Sequence, residues 1–201
     1  MALVNTKKRE VQAKIVYYGP ARGGKTTNLE YVNKSMEQKV KSKLINIKTY
    51  GDRTLFFDFL PIGIGQIQGY DVLIQLYTVP GQVKYNSTRR LVLRGVDGIV
   101  FVADSMKLRR KDNLLSLKNL QENLIGYQKD IFNIPLVLQY NKRDLEGSGI
   151  DLLPMEVLDR ELNGKLKVPS MGASATSGDN VLATLRKIIY LTVNSLRDKL
   201  S

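Results

Sequence analysis

A chain of 201 residues with neither cysteine nor histidine excludes disulfides, thiolate nucleophiles, imidazole bases and Cys- or His-ligated metals. Any chemistry falls to hydroxyls, carboxylates, amides, Lys, Arg or a bound cation. The hydrophobic share of 43% suits one globular core, and no apolar stretch approaches the roughly 20 residues of a bilayer span. The formal charge of +12 aids solubility and favours an acidic partner: a protein face, an anionic membrane or nucleic acid. Basic residues gather at Lys7–Arg9, at Lys39, Lys41 and Lys43, at Arg89, Arg90 and Arg94, and at Lys107–Lys111. No zinc-finger or RNA-binding aromatic pattern accompanies them, which disfavours a specific nucleic-acid role. The stretch MALVNTKKRE lacks the apolar core of a signal peptide, Ala2 stands where myristoylation needs glycine, and DKLS has no cysteine to prenylate. A cytoplasmic, unanchored protein is the expectation.

In chain order, residues 1–12 read as an N-terminal extension and AKIVYYG (13–19) as a buried strand. The stretch KTTNLEYVNKSMEQ then reads as a helix. TLFFDFL (54–60) and VLIQLYTV (72–79) are two strands of an antiparallel hairpin, joined by the glycine-bearing connector PIGIGQIQGYD. Strands follow at GIVFVAD (98–104), PLVLQYN (135–141) and KVPSMGA (167–173). Helical patterns lie between them at YNSTRRLVLRG, KDNLLSLKNLQENLIGY and LPMEVLDREL. The last helix, DNVLATLRKIIYLTVNSLRDKL, carries Val181, Leu185, Ile188, Ile189, Thr192 and Leu196 at helical spacing. Continuous apolar strands alternating with helices predict a single α/β domain, a mostly parallel six-stranded sheet with one antiparallel hairpin and helices on both faces.

GPARGGKTTN, from Gly19 to Asn28, fits G-x-x-x-x-G-K-[ST] between a buried strand and a helix, the context such a motif requires. Glycines let the backbone through Gly19, Arg22, Gly23, Gly24, Lys25, Thr26 and Thr27 turn its N–H groups inward as an anion cradle, aided by the helix N-terminus. Lys25 is placed for the β- and γ-phosphates and the Thr26 hydroxyl for Mg²⁺. An ordinary glycine-rich turn is the competing reading, and the strand–helix context disfavours it.

The base is named elsewhere. NKRD (141–144) follows a strand at the carboxyl edge of the sheet, where open α/β sheets bind ligands. The Asp144 carboxylate can accept from both N1–H and the 2-amino group of guanine, an edge adenine lacks. Asn141 can brace the neighbouring loops, and the Lys142 stem can lie over the flat base. After the last strand, Ser174, Ala175 and Thr176 offer a backbone N–H, from Ala175, for the guanine carbonyl; a simple turn is the alternative.

Taken together, these motifs resemble the small Ras-superfamily GTPases. With GDRTLFFDFLP (51–61), LYTVPGQ (76–82), GVDGIVFVADS (95–105) and QYNKRD (139–144), the chain is similar to the bacterial MglA family of cell-polarity and gliding-motility switches. The resemblance implies a Ras-like P-loop fold, GTP or GDP with Mg²⁺, and GTP hydrolysis, whose intrinsic rate the departure at Ala21 is expected to slow. It implies Thr54 as the first-switch metal ligand and γ-phosphate sensor, and Gly81 as the second-switch N–H. It further implies Gln82 as the residue that orients water and Arg53 as an intrinsic arginine finger. Implied partners are an MglB-like roadblock-domain GAP dimer and polarity or motility effectors, with recruitment of a monomer to a cell pole. Two departures stand out. Thr78-Val79-Pro80-Gly81 replaces D-x-x-G, so the usual carboxylate behind Mg²⁺ is missing; Asp58 is a replacement, or a half-buried strand charge. Ala21 stands where such loops have glycine, and its methyl is expected to crowd Gln82 or an incoming finger. Two other readings remain: a nucleotide-bound scaffold with negligible turnover, and a P-loop kinase or ATPase, which Asp144 opposes.

Overall fold

The computed structural model describes residues 3–6, 8–36, 45–47, 57–67 and 69–200. Strands β1 (Leu3–Asn5) and β2 (Glu10–Tyr18) precede helix α1 (Lys25–Met36) and strand β3 (Ile45–Ile47). The hairpin β4 (Phe57–Ile67) and β5 (Tyr70–Thr78) follows, then α2 (Asn86–Leu93), β6 (Gly98–Asp104), α3 (Arg110–Ile125) and β7 (Leu136–Asn141). The chain closes with α4 (Met155–Leu158), which runs into a π-turn at Asp159–Asn163, then β8 (Ser170–Gly172) and α5 (Val181–Leu200).

The sheet runs β3-β4-β5-β2-β6-β7-β8. β5, β2, β6, β7 and β8 are mutually parallel, and β4 is antiparallel to β5. The six expected strands form its body, and two short antiparallel strands add to it. β3 extends the hairpin edge, and β1 pairs with Glu10–Gln12 of β2, ahead of the stretch Ile15–Tyr18 that β6 takes.

Period-two alternation splits the core between the two faces. Val16 and Tyr18 of β2, Ile99, Phe101 and Ala103 of β6, and Leu136, Leu138 and Tyr140 of β7 pack with Val92 and Leu93 of α2, Leu120 and Leu124 of α3, and Leu158. Ile15 and Tyr17, Val100 and Val102, and Val137 face the other way, onto Leu29 and Val32 of α1 and Val181, Leu185 and Ile188 of α5. With both faces covered, every residue of β6 is buried, which explains its unbroken apolar run.

The strands extend into the expected connector: β4 runs on to Ile67 and β5 starts at Tyr70, with Ile62 against Ile74 and Ile67 against Tyr70. Burial of Ile62 and Ile74 carries the alternation onward. One extra residue between Gly63 and Gln66 forms a bulge, which glycines in a strand commonly mark. The expected start of the first hairpin strand, 54–56, lies outside the described residues, as do the basic positions 39, 41 and 43.

Much of the basic surface read from sequence is engaged within the protein. Arg89 is fully buried. In the 107–111 cluster, Lys107 pairs with Asp151, Arg109 with Asp112, and Arg110 grips Glu161 through Nε and Nη2. No helix of the described residues is long and apolar enough to cross a membrane.

Candidate functional site

The loop Gly19–Gly24 runs from the end of β2 into α1 at the carboxyl edge of the sheet. Gly24 has φ +97, and a Cβ there would run into the Asn141 side-chain amide, so backbone hand and close approach both require glycine. Asn141 is the hinge between the two ends of the site. It is 2% exposed; its Nδ2 donates to the Gly23 carbonyl at 2.8 Å and its Oδ1 accepts from the Ala175 N–H at 2.8 Å. The phosphate loop and the turn after β8 are thus held by one side chain, as the bracing expectation for Asn141 requires. The Ala175 N–H, expected at the guanine carbonyl, is committed to that brace.

Lys25 is buried, and its Nζ donates to the carbonyls of Gly19 at 3.2 Å and Pro20 at 2.6 Å, which hold the ammonium across the mouth of the loop. Burial, and then the Arg89 charge, lower its pKa to about 7, against the pull of Asp58. Thr27 sits in the first turn of α1 beside Thr26. Arg22, at φ 59, is exposed, and the carbonyl of Ala21 accepts from Arg109 Nη2 at 2.7 Å.

Asp58, 8% exposed on β4, stands behind Thr26. Its Oδ2 accepts from the Thr26 hydroxyl at 2.6 Å and the Thr78 hydroxyl at 2.9 Å, while its own N–H donates to Thr78 Oγ1 at 3.0 Å. The neighbouring strand thus brings a carboxylate to the two hydroxyls at positions 26 and 78. Among the described residues no group of three or more acidic side chains gathers. The Thr26 hydroxyl, with one carboxylate behind it, suits a magnesium ion that keeps waters and phosphate oxygens for most of its shell.

The segment after β5 rests on the Gly19–Gly24 loop. A Cβ on Gly81 would clash with Ala21 Cα and lie 2.6 Å from Ala21 N, so the two backbones touch. Gln82 is exposed and leads into a short 3₁₀ turn at Val83–Tyr85. Arg53 and Thr54 lie outside the described residues.

At the base end, Lys142 adopts the left-handed conformation, φ 72, and its Nζ donates to Asp104 Oδ2 at 2.6 Å. That bond fixes the ammonium on the carboxylate that closes β6. Asp144 sits in the 3₁₀ turn Arg143–Leu145, exposed and without an ion-pair partner among the described residues. Ser174 is buried and its Oγ accepts from the Ser177 N–H at 3.1 Å; Thr176 is exposed. Sequence reasoning missed Asp104 and Arg109. Asp104 had a signal, as a carboxylate closing a fully apolar strand at the sheet's carboxyl edge; Arg109 had none.

A phosphate loop leading from β2 into α1, N-K-x-D after β7 and a glycine-led switch after β5 on a mostly parallel sheet are the layout of a small Ras-superfamily GTPase. No family model matches the chain. It is 45% identical to the mutual gliding-motility protein MglA of Myxococcus xanthus, over 98% of both chains. It is 27% identical to the Ras-related protein Rab7 of Cenchrus ciliaris, over 87% of this chain and 79% of that one. Against ADP-ribosylation factor-like protein 2 of Arabidopsis thaliana it is 28% identical over 88% and 85%. The chain belongs to the MglA family of small GTPases: it binds guanine nucleotide, hydrolyses GTP and works with regulators and effectors.

Proposed function

We propose that this GTPase is the switch of a bacterial polarity or gliding-motility system, recruited to a cell pole, turned off by an MglB-like roadblock-domain GAP dimer and read by effectors that engage its GTP state. Its site takes GTP with Mg²⁺. Lys25 lies against the β- and γ-phosphates, whose charge offsets the burial that depresses its pKa. Thr26 and Thr54 ligate the metal, with Asp58 behind the Thr26 hydroxyl. Gly81 offers its N–H to the γ-phosphate, Gln82 orients water, and Arg53 neutralises charge on the transferring group. The metal supplies charge neutralisation between the phosphates; the residues named hold the nucleotide, exclude water and aim the nucleophile. Asp144 reads guanine, Lys142 covers it, and Ser174–Thr176 close the pocket.

The observation that carries this reading is Asn141, which joins the phosphate loop to the base end in one hydrogen-bonded unit. Calorimetry with GDP, GTP, ATP and XTP in magnesium tests it. Guanine nucleotides are expected to bind at micromolar concentration or below and ATP far more weakly. Asp144→Asn removes a carboxylate acceptor of two hydrogen bonds worth about 1.5–3 kcal/mol each and is expected to turn preference toward XTP. Equal binding of ATP and GTP overturns the reading.

A further inference from the structure

Arg89 is the largest fully buried side chain described, and no carboxylate among the described residues answers its charge. Its partners are all neutral. Nε donates to Tyr18 Oη at 3.0 Å and Asn119 Oδ1 at 2.9 Å. Nη2 donates to Ser116 Oγ at 2.9 Å. Nη1 donates to the carbonyls of Gly81 at 2.9 Å, Pro80 at 3.1 Å and Gly19 at 3.4 Å. The guanidinium lies 4.2 Å over the Tyr18 ring. A buried cation without a counter-ion is costly, and a core leucine would fill the space without that cost. What only arginine supplies is one rigid fork that reaches β2, α3, the first residue of the phosphate loop and two consecutive carbonyls of the second switch.

Those two carbonyls matter because peptide units are planar and trans. With the oxygens of Pro80 and Gly81 both turned to Nη1, the N–H groups of Gly81 and Gln82 point to the opposite side of the same backbone. We propose that Arg89 is the positioning residue of the second switch: it fixes the Pro80–Gly81 and Gly81–Gln82 peptides so that their N–H groups are presented to a γ-phosphate and Gln82 is held in register with it. This rests on the roles assigned above to Gly81 and Gln82. Tyr18, Ser116 and Asn119 lock the fork, and the Gly19 carbonyl ties it to the phosphate loop, so loop and switch share one anchor. The contribution belongs to the triphosphate state, because GDP offers no γ-phosphate to those amides.

The test uses the full chain with Arg89→Lys, which keeps the charge but loses the planar fork, alongside Gln82→Ala and the double variant. Affinities for GDP and for a non-hydrolysable GTP analogue are measured in magnesium, with single-turnover hydrolysis. Arg89→Lys is expected to leave GDP affinity within about threefold, weaken the analogue about tenfold and slow hydrolysis about ten- to a hundredfold, the scale of a small misplacement of reacting groups. The double variant is expected to be little slower than Gln82→Ala alone. Equal loss of GDP and analogue affinity, or unchanged hydrolysis, overturns the proposal. If Gln82→Ala hydrolyses at the wild-type rate, the second-switch reading itself fails; if Gln82→Ala is slow and Arg89→Lys is not, only the role of Arg89 falls. Should Arg89→Lys not fold, Tyr18→Phe removes an acceptor of the fork and is expected to shift the analogue-to-GDP ratio and the rate the same way, by a smaller factor; no shift there also overturns the proposal.

Discussion

Asn141→Ala isolates the bond between the two ends of the nucleotide site. The truncation strips hydrogen bonds from the Gly23 carbonyl and the Ala175 N–H, each at 2.8 Å. Gly23 and Ala175 are themselves buried, so both groups lose a partner without gaining bulk water. A buried group left unpaired costs about 1–3 kcal/mol. Water admitted to the space of the amide recovers part of that, which puts the total at about 2–4 kcal/mol. For a domain of this size that lowers the melting temperature by about 4–16 °C. Because the lost bonds are those that hold the phosphate loop against the base end, most of the same energy should appear as weaker nucleotide binding, about 30- to 1000-fold. Thermal melting in GDP and the release rate of a fluorescent GDP read the two effects. Asn141→Asp separates the halves: it keeps an acceptor for Ala175 but turns a second oxygen on the Gly23 carbonyl, so it should release GDP nearly as fast as the alanine variant. A melting point within about 2 °C of wild type together with release within about threefold would refute the coupling.

Three further outcomes follow from the same geometry. Asp58→Asn removes the carboxylate behind Thr26, and the magnesium concentration needed to hold GDP should rise about tenfold; an unmoved magnesium titration would leave Asp58 a purely structural strand residue. Ala21→Gly removes the methyl beside the point where Gly81 touches the loop, and single-turnover hydrolysis should quicken several-fold; an unchanged rate removes crowding as the cause of slow turnover. Asp159 accepts from Ser170, Asn163 and Tyr140, and chiefly the Ser170 bond holds its pKa below the ordinary 3.8. A depressed carboxyl stabilises the fold at pH above that ordinary value and loses the contribution as pH falls through its folded value. Acid melting of Ser170→Ala should therefore begin at higher pH than wild type, with the Asp159 carboxyl titrating higher by NMR, and coincident acid limbs would refute the assignment.

The parts legible in the sequence were those set by local pattern. Apolar strands such as GIVFVAD, covered on both faces, leave an unbroken run, and the phosphate loop and NKRD announce themselves through glycine spacing and position after a strand. The connector 61–71 was misread because its glycines and polar residues look like a turn, while the pairing of Ile62 with Ile74 that extends both strands is a long-range fact. Arg89 was misread for a related reason. A basic residue beside Arg90 in a polar helix looks like surface, and only the fold brings Tyr18, Ser116 and Asn119 around it. Asp58 lay between these cases: its candidacy was readable from the missing carboxylate at position 78, but its contact with Thr26 depends on strand register.

That register gives the displaced carboxylate a consequence that a carboxylate at position 78 would lack. Residue 78 is fixed to β2 by the parallel pairing that sets Tyr17 against Thr78, and so to the phosphate loop that β2 feeds. Asp58 reaches Thr26 only through the antiparallel pairing of β4 with β5, which sets Phe59 against Tyr77. A slide of β4 along β5 by one residue would turn Asp58 to the opposite face of the sheet. A slide by two would keep the face but carry the carboxylate about 7 Å away, at roughly 3.4 Å per residue, beyond any contact with Thr26. The bulge between Gly63 and Gln66 already absorbs one residue of offset in that pair, so the far end of the hairpin need not move with the near end. The contact of Asp58 with Thr26 and the register of the hairpin are therefore one structural coordinate, and whatever sets the register of β4 also sets whether Asp58 stands behind Thr26.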